Sequence, residues 1–93
     1  MKRRVVATSQ FKKDARRALK RGWPEAALRE VVVRLANDEP LEASRRDHAL
    51  SGAFEGFREC HVRPDWLLVY RKAKRELILT LARTGSHADV FGL

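Results

Sequence analysis

Three histidines, His48, His61 and His87, share the second half of this chain with the acids Asp65 and Asp89 and the arginine Arg83. An imidazole has an unperturbed pKa of about 6.5, so it takes and gives protons near neutral pH. A carboxylate orients an imidazole and favours its charged form. An arginine presents a fixed fork of donors to phosphate oxygens. Together these groups suit the cutting of RNA without a metal. A base removes the proton of a 2′-hydroxyl, and the oxygen attacks the adjacent phosphorus. An acid protonates the departing 5′-oxygen, and cations stabilise the phosphorane. Trp66 and Phe91 add aromatic faces on which unpaired bases can stack.

Each residue also has a plainer explanation. His48 falls in a polar stretch where a histidine is commonly just exposed. His61 reads equally as a sheet-edge residue, and Asp65 as a turn acid after Pro64. Trp66 reads as core, Phe91 as a plug for the C-terminus, and Arg83 as the partner of a surface acid. What favours chemistry is convergence, because His61, Asp65, Arg83 and His87 all fall at the ends of predicted strands. Zinc is the competing reading. Cys60 and His61 are adjacent on a predicted strand and point to opposite faces, and there is no C-x-x-C or H-x-x-x-H pair. The pattern therefore calls for no metal and no cofactor.

Twenty Lys and Arg stand against twelve Asp and Glu, a net charge of +8 on 93 residues, which points to a polyanionic partner. The basic residues of the first predicted helix, Lys12, Lys13, Arg16 and Arg17, form a candidate RNA-binding face, or simply a solvated one. No apolar run approaches the roughly 18 residues of a membrane span. The apolar part of the N-terminus is too short for a signal-peptide core. The single Cys60 leaves no internal disulfide. These features suggest a single domain over residues 1–93, cytoplasmic and with no membrane partner.

The elements that must position the site follow from periodicity. Val5–Ala7 reads as a first strand. Thr8 or Ser9 caps a helix whose apolar stripe is Phe11, Ala15, Ala18 and Leu19, with Asp14 among the basic residues of the other faces. Gly22 stops it, and Pro24 opens a second helix that buries Leu28, Val31, Val32 and Leu35. A short link implies that the two helices pair antiparallel. Residues 38–53 read as a long polar loop that leaves His48 free to close over a site. Phe57–Val62, Trp66–Tyr70 and Leu77–Ala82 read as strands, the last apolar on both faces and so internal. Ser86–Asp89 resembles a capping box opening one helical turn. The expected fold class is α+β in the order β-α-α-β-β-β. A helical hairpin covers one face of a four-stranded, mainly antiparallel sheet, and the other face is partly open.

Four segments resemble a known family. Asp47–Gly52, Gly56–Val62, Pro64–Tyr70 and Arg83–Phe91, with Phe11–Asp14 and Lys20–Gly22 before them, are similar to the YafQ branch of the RelE/ParE toxin superfamily. The resemblance implies a RelE-like fold and a bacterial type II toxin that cleaves messenger RNA in the ribosomal A site. It implies three partners: a cognate antitoxin, the ribosome with its mRNA, and operator DNA through the antitoxin complex. It places the family's catalytic residues on His48, His61, Asp65 and His87. It places residues of activity or RNA contact on Trp66, Arg83 and Phe91. The alternative from the same superfamily is a non-catalytic ParE-like toxin that binds a protein such as DNA gyrase, whose relatives lack this histidine set.

Overall fold

The computed structural model describes residues 1–92. The chain runs β1 (Arg4–Ala7), α1 (Ser9–Lys20), α2 (Glu25–Ala36), β2 (His48–Ala49), β3 (Arg58–Arg63), β4 (Trp66–Lys72), β5 (Ile78–Gly85) and α3 (His87–Phe91). Single 3-10 turns at Ala43–Arg45 and Gly52–Phe54 flank β2. All the strands join one sheet in the order β1-β5-β4-β3-β2. The pairs β2–β3, β3–β4 and β4–β5 are antiparallel, and β1–β5 is parallel.

The sheet thus has five strands where the sequence pattern indicated four. The added strand, β2, is two residues long and exposed on both, so no alternation of apolar residues betrays it. Its pairing of His48 with Glu59 and Ala49 with Arg58 fixes a segment expected to be a free loop. β5 is an inner strand, as its apolar run implies, and β4 is the middle one. Strand β5 also extends through Thr84 and Gly85, beyond the predicted end at Ala82.

Helix α1 begins at the Thr8 cap, whose hydroxyl accepts the Phe11 N–H at 3.0 Å. It ends at Gly22, whose φ of 85° lies in the left-handed region that costs glycine nothing. Pro24 is the N-cap of α2 rather than its first helical residue, with an extended ψ of 116°. Each helix packs on the sheet, α1 against β5 and α2 against β3 and β5. Phe11, Ala18, Val31 and Leu35 meet Cys60, Val62, Trp66, Leu68, Tyr70, Leu79 and Leu81 in one core. Burial pushes the Cys60 thiol up to about 12, so it is neither a ready nucleophile nor a ready ligand.

Two positions of α1 depart from its expected stripe. Leu19 is 45% exposed, and Asp14 is 2% exposed. Polar partners on β5 draw Asp14 inward. Leu67 and Val69 point away from the helical layer, by the two-residue period of β4, yet both are fully buried. The second face is therefore covered over part of its length, and α3 packs there on β4 and β5.

Candidate active site

His61 and Asp65 flank the β3–β4 turn. The register shifts between the pairs His61–Leu67 and Arg63–Trp66, an irregularity of the kind that re-aims side chains beside functional sites. The His61 Nδ1 lies 3.0 Å from the Pro64 carbonyl oxygen. A carbonyl only accepts, so Nδ1–H donates to it and Nε2 is left to the surface.

His87 is the first residue of α3, and the start of α3 is firmly built. The Ser86 hydroxyl accepts the Asp89 N–H at 3.1 Å, and the Asp89 carboxylate accepts the Ser86 N–H at 2.9 Å. Arg21 donates twice to Asp89, at 2.5 and 2.9 Å, and Arg17 approaches it at 3.4 Å. The Arg21 guanidinium holds the Asp89 carboxyl well below the usual carboxylate range. Gly85 is required here. Its φ is +145°, and an added Cβ would stand 2.8 Å from the Asp89 Cβ.

This cap delivers His87 to Asp65. The His87 Nδ1 is 2.7 Å from Asp65 Oδ1, and its backbone N–H donates to the same oxygen at 3.2 Å. The His87 side-chain bond, reinforced by the backbone one, lowers the Asp65 pKa from its ordinary 3.8. Asp65 therefore stays ionised as an orienting acceptor. The rings of His61 and His87 are 5.8 Å apart between centroids. Two imidazoles, each held through Nδ1, thus stand close enough to address one phosphodiester.

His48 sits one strand over. Its Nε2 is 3.1 Å from Glu59 Oε2, and its Nδ1 is 2.6 Å from the Arg46 carbonyl oxygen. Both nitrogens face oxygen atoms, which hold the ring in place. Glu59 and His61 share a face of β3 by the two-residue period, about 7 Å apart along the strand. The Glu59 Oε1 is buried with no hydrogen-bond partner among the described residues. Sequence reasoning missed Glu59, because a glutamate in a strand-like run gives no sign of burial.

Arg83 lies within β5 and joins three elements. Its Nε donates to Asp14 Oδ2 at 2.7 Å, and its Nη2 donates to Asp14 Oδ1 at 3.3 Å and the Asp89 carbonyl at 3.2 Å. Asp14 also accepts the Thr84 N–H at 3.2 Å and the Gln10 amide at 3.0 Å. Phe91 stands edge-on to Phe54, with centroids 5.5 Å apart, and Phe54 likewise meets Phe57. The connection after β2 is thereby pinned to α3 by a contact no local pattern announces. Trp66, expected as an aromatic face for bases, is turned into the core instead. It is 2% exposed, its indole N–H donates to the Thr84 hydroxyl at 2.9 Å, and its ring packs on Trp23. Lys13, Arg16, Arg17 and Lys20 line a shallow depression on the outer side of α1, and Lys12 is exposed beside them. Among the described residues no group of three or more His, Cys, Asp or Glu is arranged to hold a metal ion. No helix among them is long and apolar enough to cross a membrane.

A sequence profile of the bacterial toxin of type II toxin–antitoxin systems, YafQ, matches residues 3–92. Over 93 residues the chain is 37% identical to the mRNA interferase toxin YafQ of Escherichia coli K12, covering 99% of each.

This chain belongs to the YafQ toxin family.

Solved structures agree with the YafQ assignment. The crystal structure of the E. coli DinJ–YafQ toxin–antitoxin complex matches with a TM-score of 0.86 and 36% identity, covering 99% of this chain and 100% of that one. A metal-bound toxin from Helicobacter pylori matches with a TM-score of 0.89 and 41% identity, covering 98% and 100%. The α+β fold is that of YafQ toxins, with the short β2 added to the expected strands.

Proposed function

We propose that this chain is the toxin of a type II toxin–antitoxin pair and an endoribonuclease that cuts mRNA in the ribosomal A site without a metal. The E. coli relative is an mRNA interferase toxin, and an E. coli YafQ is seen with its antitoxin DinJ. The observation that supports the chemistry is the facing pair of imidazoles, each anchored through Nδ1 and 5.8 Å apart.

In this reading His61 Nε2 takes the proton from the 2′-hydroxyl. The 2′-oxygen forms a bond to phosphorus as the bond to the 5′-oxygen breaks. His87 Nε2–H gives its proton to that leaving oxygen, so the products are a 2′,3′-cyclic phosphate and a 5′-hydroxyl. Asp65 orients His87 and stabilises its imidazolium. His48, backed by Glu59, supplies positive charge or a second proton-transfer group beside His61. Arg83 braces α3 against α1, and its Nη1, unbonded among the described residues, is the nitrogen left for phosphate. Phe91 positions a base. The basic face of α1 takes up ribosomal RNA phosphates. A cognate antitoxin silences the toxin, and operator DNA is reached through that complex.

Mapping the 5′ ends of cellular messages after brief expression tests this. Sharp in-frame cuts that vanish in His87→Ala are expected. DNA damage without such cuts would instead establish a gyrase-type protein target.

A further inference from the structure

A cavity of about 490 Å³ adjoins His61 and is lined also by Ser44, Arg45, Arg46, Arg63 and Pro64. No carboxylate lines it. Among the described residues none of these three arginines forms an ion pair. Elsewhere the chain pairs its half-buried arginines with carboxylates, whereas the half-buried Arg45 has none among the described residues; with the exposed Arg46 and Arg63 beside it, the hollow suits an anion.

The cavity is built rather than incidental. The register shift after His61 disturbs the β3–β4 ladder. Arg45 Nη1 takes up the two carbonyls there, donating to Val62 O at 2.7 Å and His61 O at 3.4 Å. Arg45 is thereby fixed, with Nε and Nη2 unbonded among the described residues. Arg46 has a φ of 51°, a left-handed conformation unfavourable to a residue with a Cβ. Its carbonyl is held there by the His48 Nδ1. The same peptide that orients one candidate catalytic imidazole thus places a cavity arginine. Arg63 closes the rim on the far side of the bulge.

We propose that this cavity binds a second phosphodiester of the RNA, next to the one that is cut. The inference rests on the nuclease reading above. His61 lines the cavity and also faces His87, so the occupant and the scissile phosphate share one imidazole. Three guanidinium forks around a carboxylate-free hollow match a phosphodiester oxygen pair. The cavity sets which nucleotide lies across His61 and His87, and so the register of the cut.

Two measurements test this. First, inorganic phosphate is titrated into the free protein while arginine Nε–H signals are followed by NMR. Saturable shifts at Arg45 and Arg63 are expected, and they should be lost in Arg63→Gln, an exposed position whose substitution leaves the fold intact. Shifts confined to α1, or none that saturate, overturn the proposal. Second, mRNAs with a single uncharged methylphosphonate at each phosphate flanking the cut are presented on the ribosome. One position other than the scissile phosphate should slow cleavage roughly tenfold or more, as for a lost charge-assisted hydrogen bond. The same replacement should add little in Arg63→Gln. Phosphate binding without a sensitive flanking position assigns the cavity to ribosomal RNA instead and overturns the proposal. A wild type that cuts nothing removes the nuclease reading, while the titration still reports on the cavity by itself.

Discussion

Asp14→Ala is expected to be far more damaging than a surface acid on a basic helix would suggest. The carboxylate is 2% exposed and accepts from Arg83 twice, from the Thr84 N–H and from Gln10. Removing it leaves the Thr84 N–H, in a residue 1% exposed, with no acceptor. An orphaned buried donor costs about 1–3 kcal/mol. It also leaves Arg83 without its counter-charge. Breaking a fully buried ion pair costs about 3–5 kcal/mol. The Arg83 side chain keeps 23% exposure, so water recovers part of that. A combined loss of about 3 kcal/mol follows. For a domain of this size it lowers Tm by roughly 12–24 °C. In urea the midpoint should fall by about 1–3 M with m unchanged. Lys12→Ala, two residues away on the opposite side of α1 and exposed, should stay within about 0.5 kcal/mol of wild type. The double variant Asp14→Ala/Arg83→Met should lose less than the two single losses added, because they break one interaction. Equal stability of Asp14→Ala and wild type would refute the view that this ion pair ties α1 to β5.

Other perturbations separate the roles assigned above. Trp66→Ala should cost about 3–5 kcal/mol in urea unfolding, the loss of a core aromatic; a variant of wild-type stability that only cut RNA poorly would return Trp66 to the RNA surface. Lys72, and then Arg3, hold the Asp38 carboxyl down at about 2 from 3.8. A depressed carboxyl contributes stability above its unfolded pKa and loses it as pH falls through the folded one. Asp38→Asn should therefore flatten the loss of stability between pH 3.8 and about 2, and an unchanged acid titration would count against that network. Reversing Lys12, Lys13 and Arg16 to Glu should weaken ribosome binding. It should also reduce the log–log salt slope by about 0.7–0.9 per lost phosphate contact; an unaltered slope would show that this face is merely solvated.

Much of this was legible in the residues because it is local. The Thr8 cap, the Gly22 stop, the strand-like runs of β3 and β4 and the Ser86–Asp89 capping box are each written within a few neighbouring positions. The histidines and Asp65 were found because their types are chemically conspicuous. What stayed hidden depends on distant partners. Asp14 looked like one more surface charge because its acceptor role is defined by residues about seventy positions away. β2 carries no apolar alternation, so His48 read as mobile when Glu59 and Arg46 in fact hold it. Trp66 and Arg83 stood in the right neighbourhood but face the core and Asp14, which a linear spacing cannot reveal.

The assignment of His87 as the proton donor to the leaving oxygen is tested most directly by a substrate that needs no donor. An mRNA whose scissile 5′-oxygen is replaced by sulfur releases a thiolate unaided. On ribosomes programmed with ordinary mRNA, His87→Ala should cut about 10²–10⁴-fold more slowly than wild type, the range for a lost general acid. On the sulfur-bridged mRNA it should approach the wild-type rate, whereas His61→Ala should remain slow. An equal defect of His87→Ala on both substrates would contradict the account and leave the Asp65–His87 pair a structural contact.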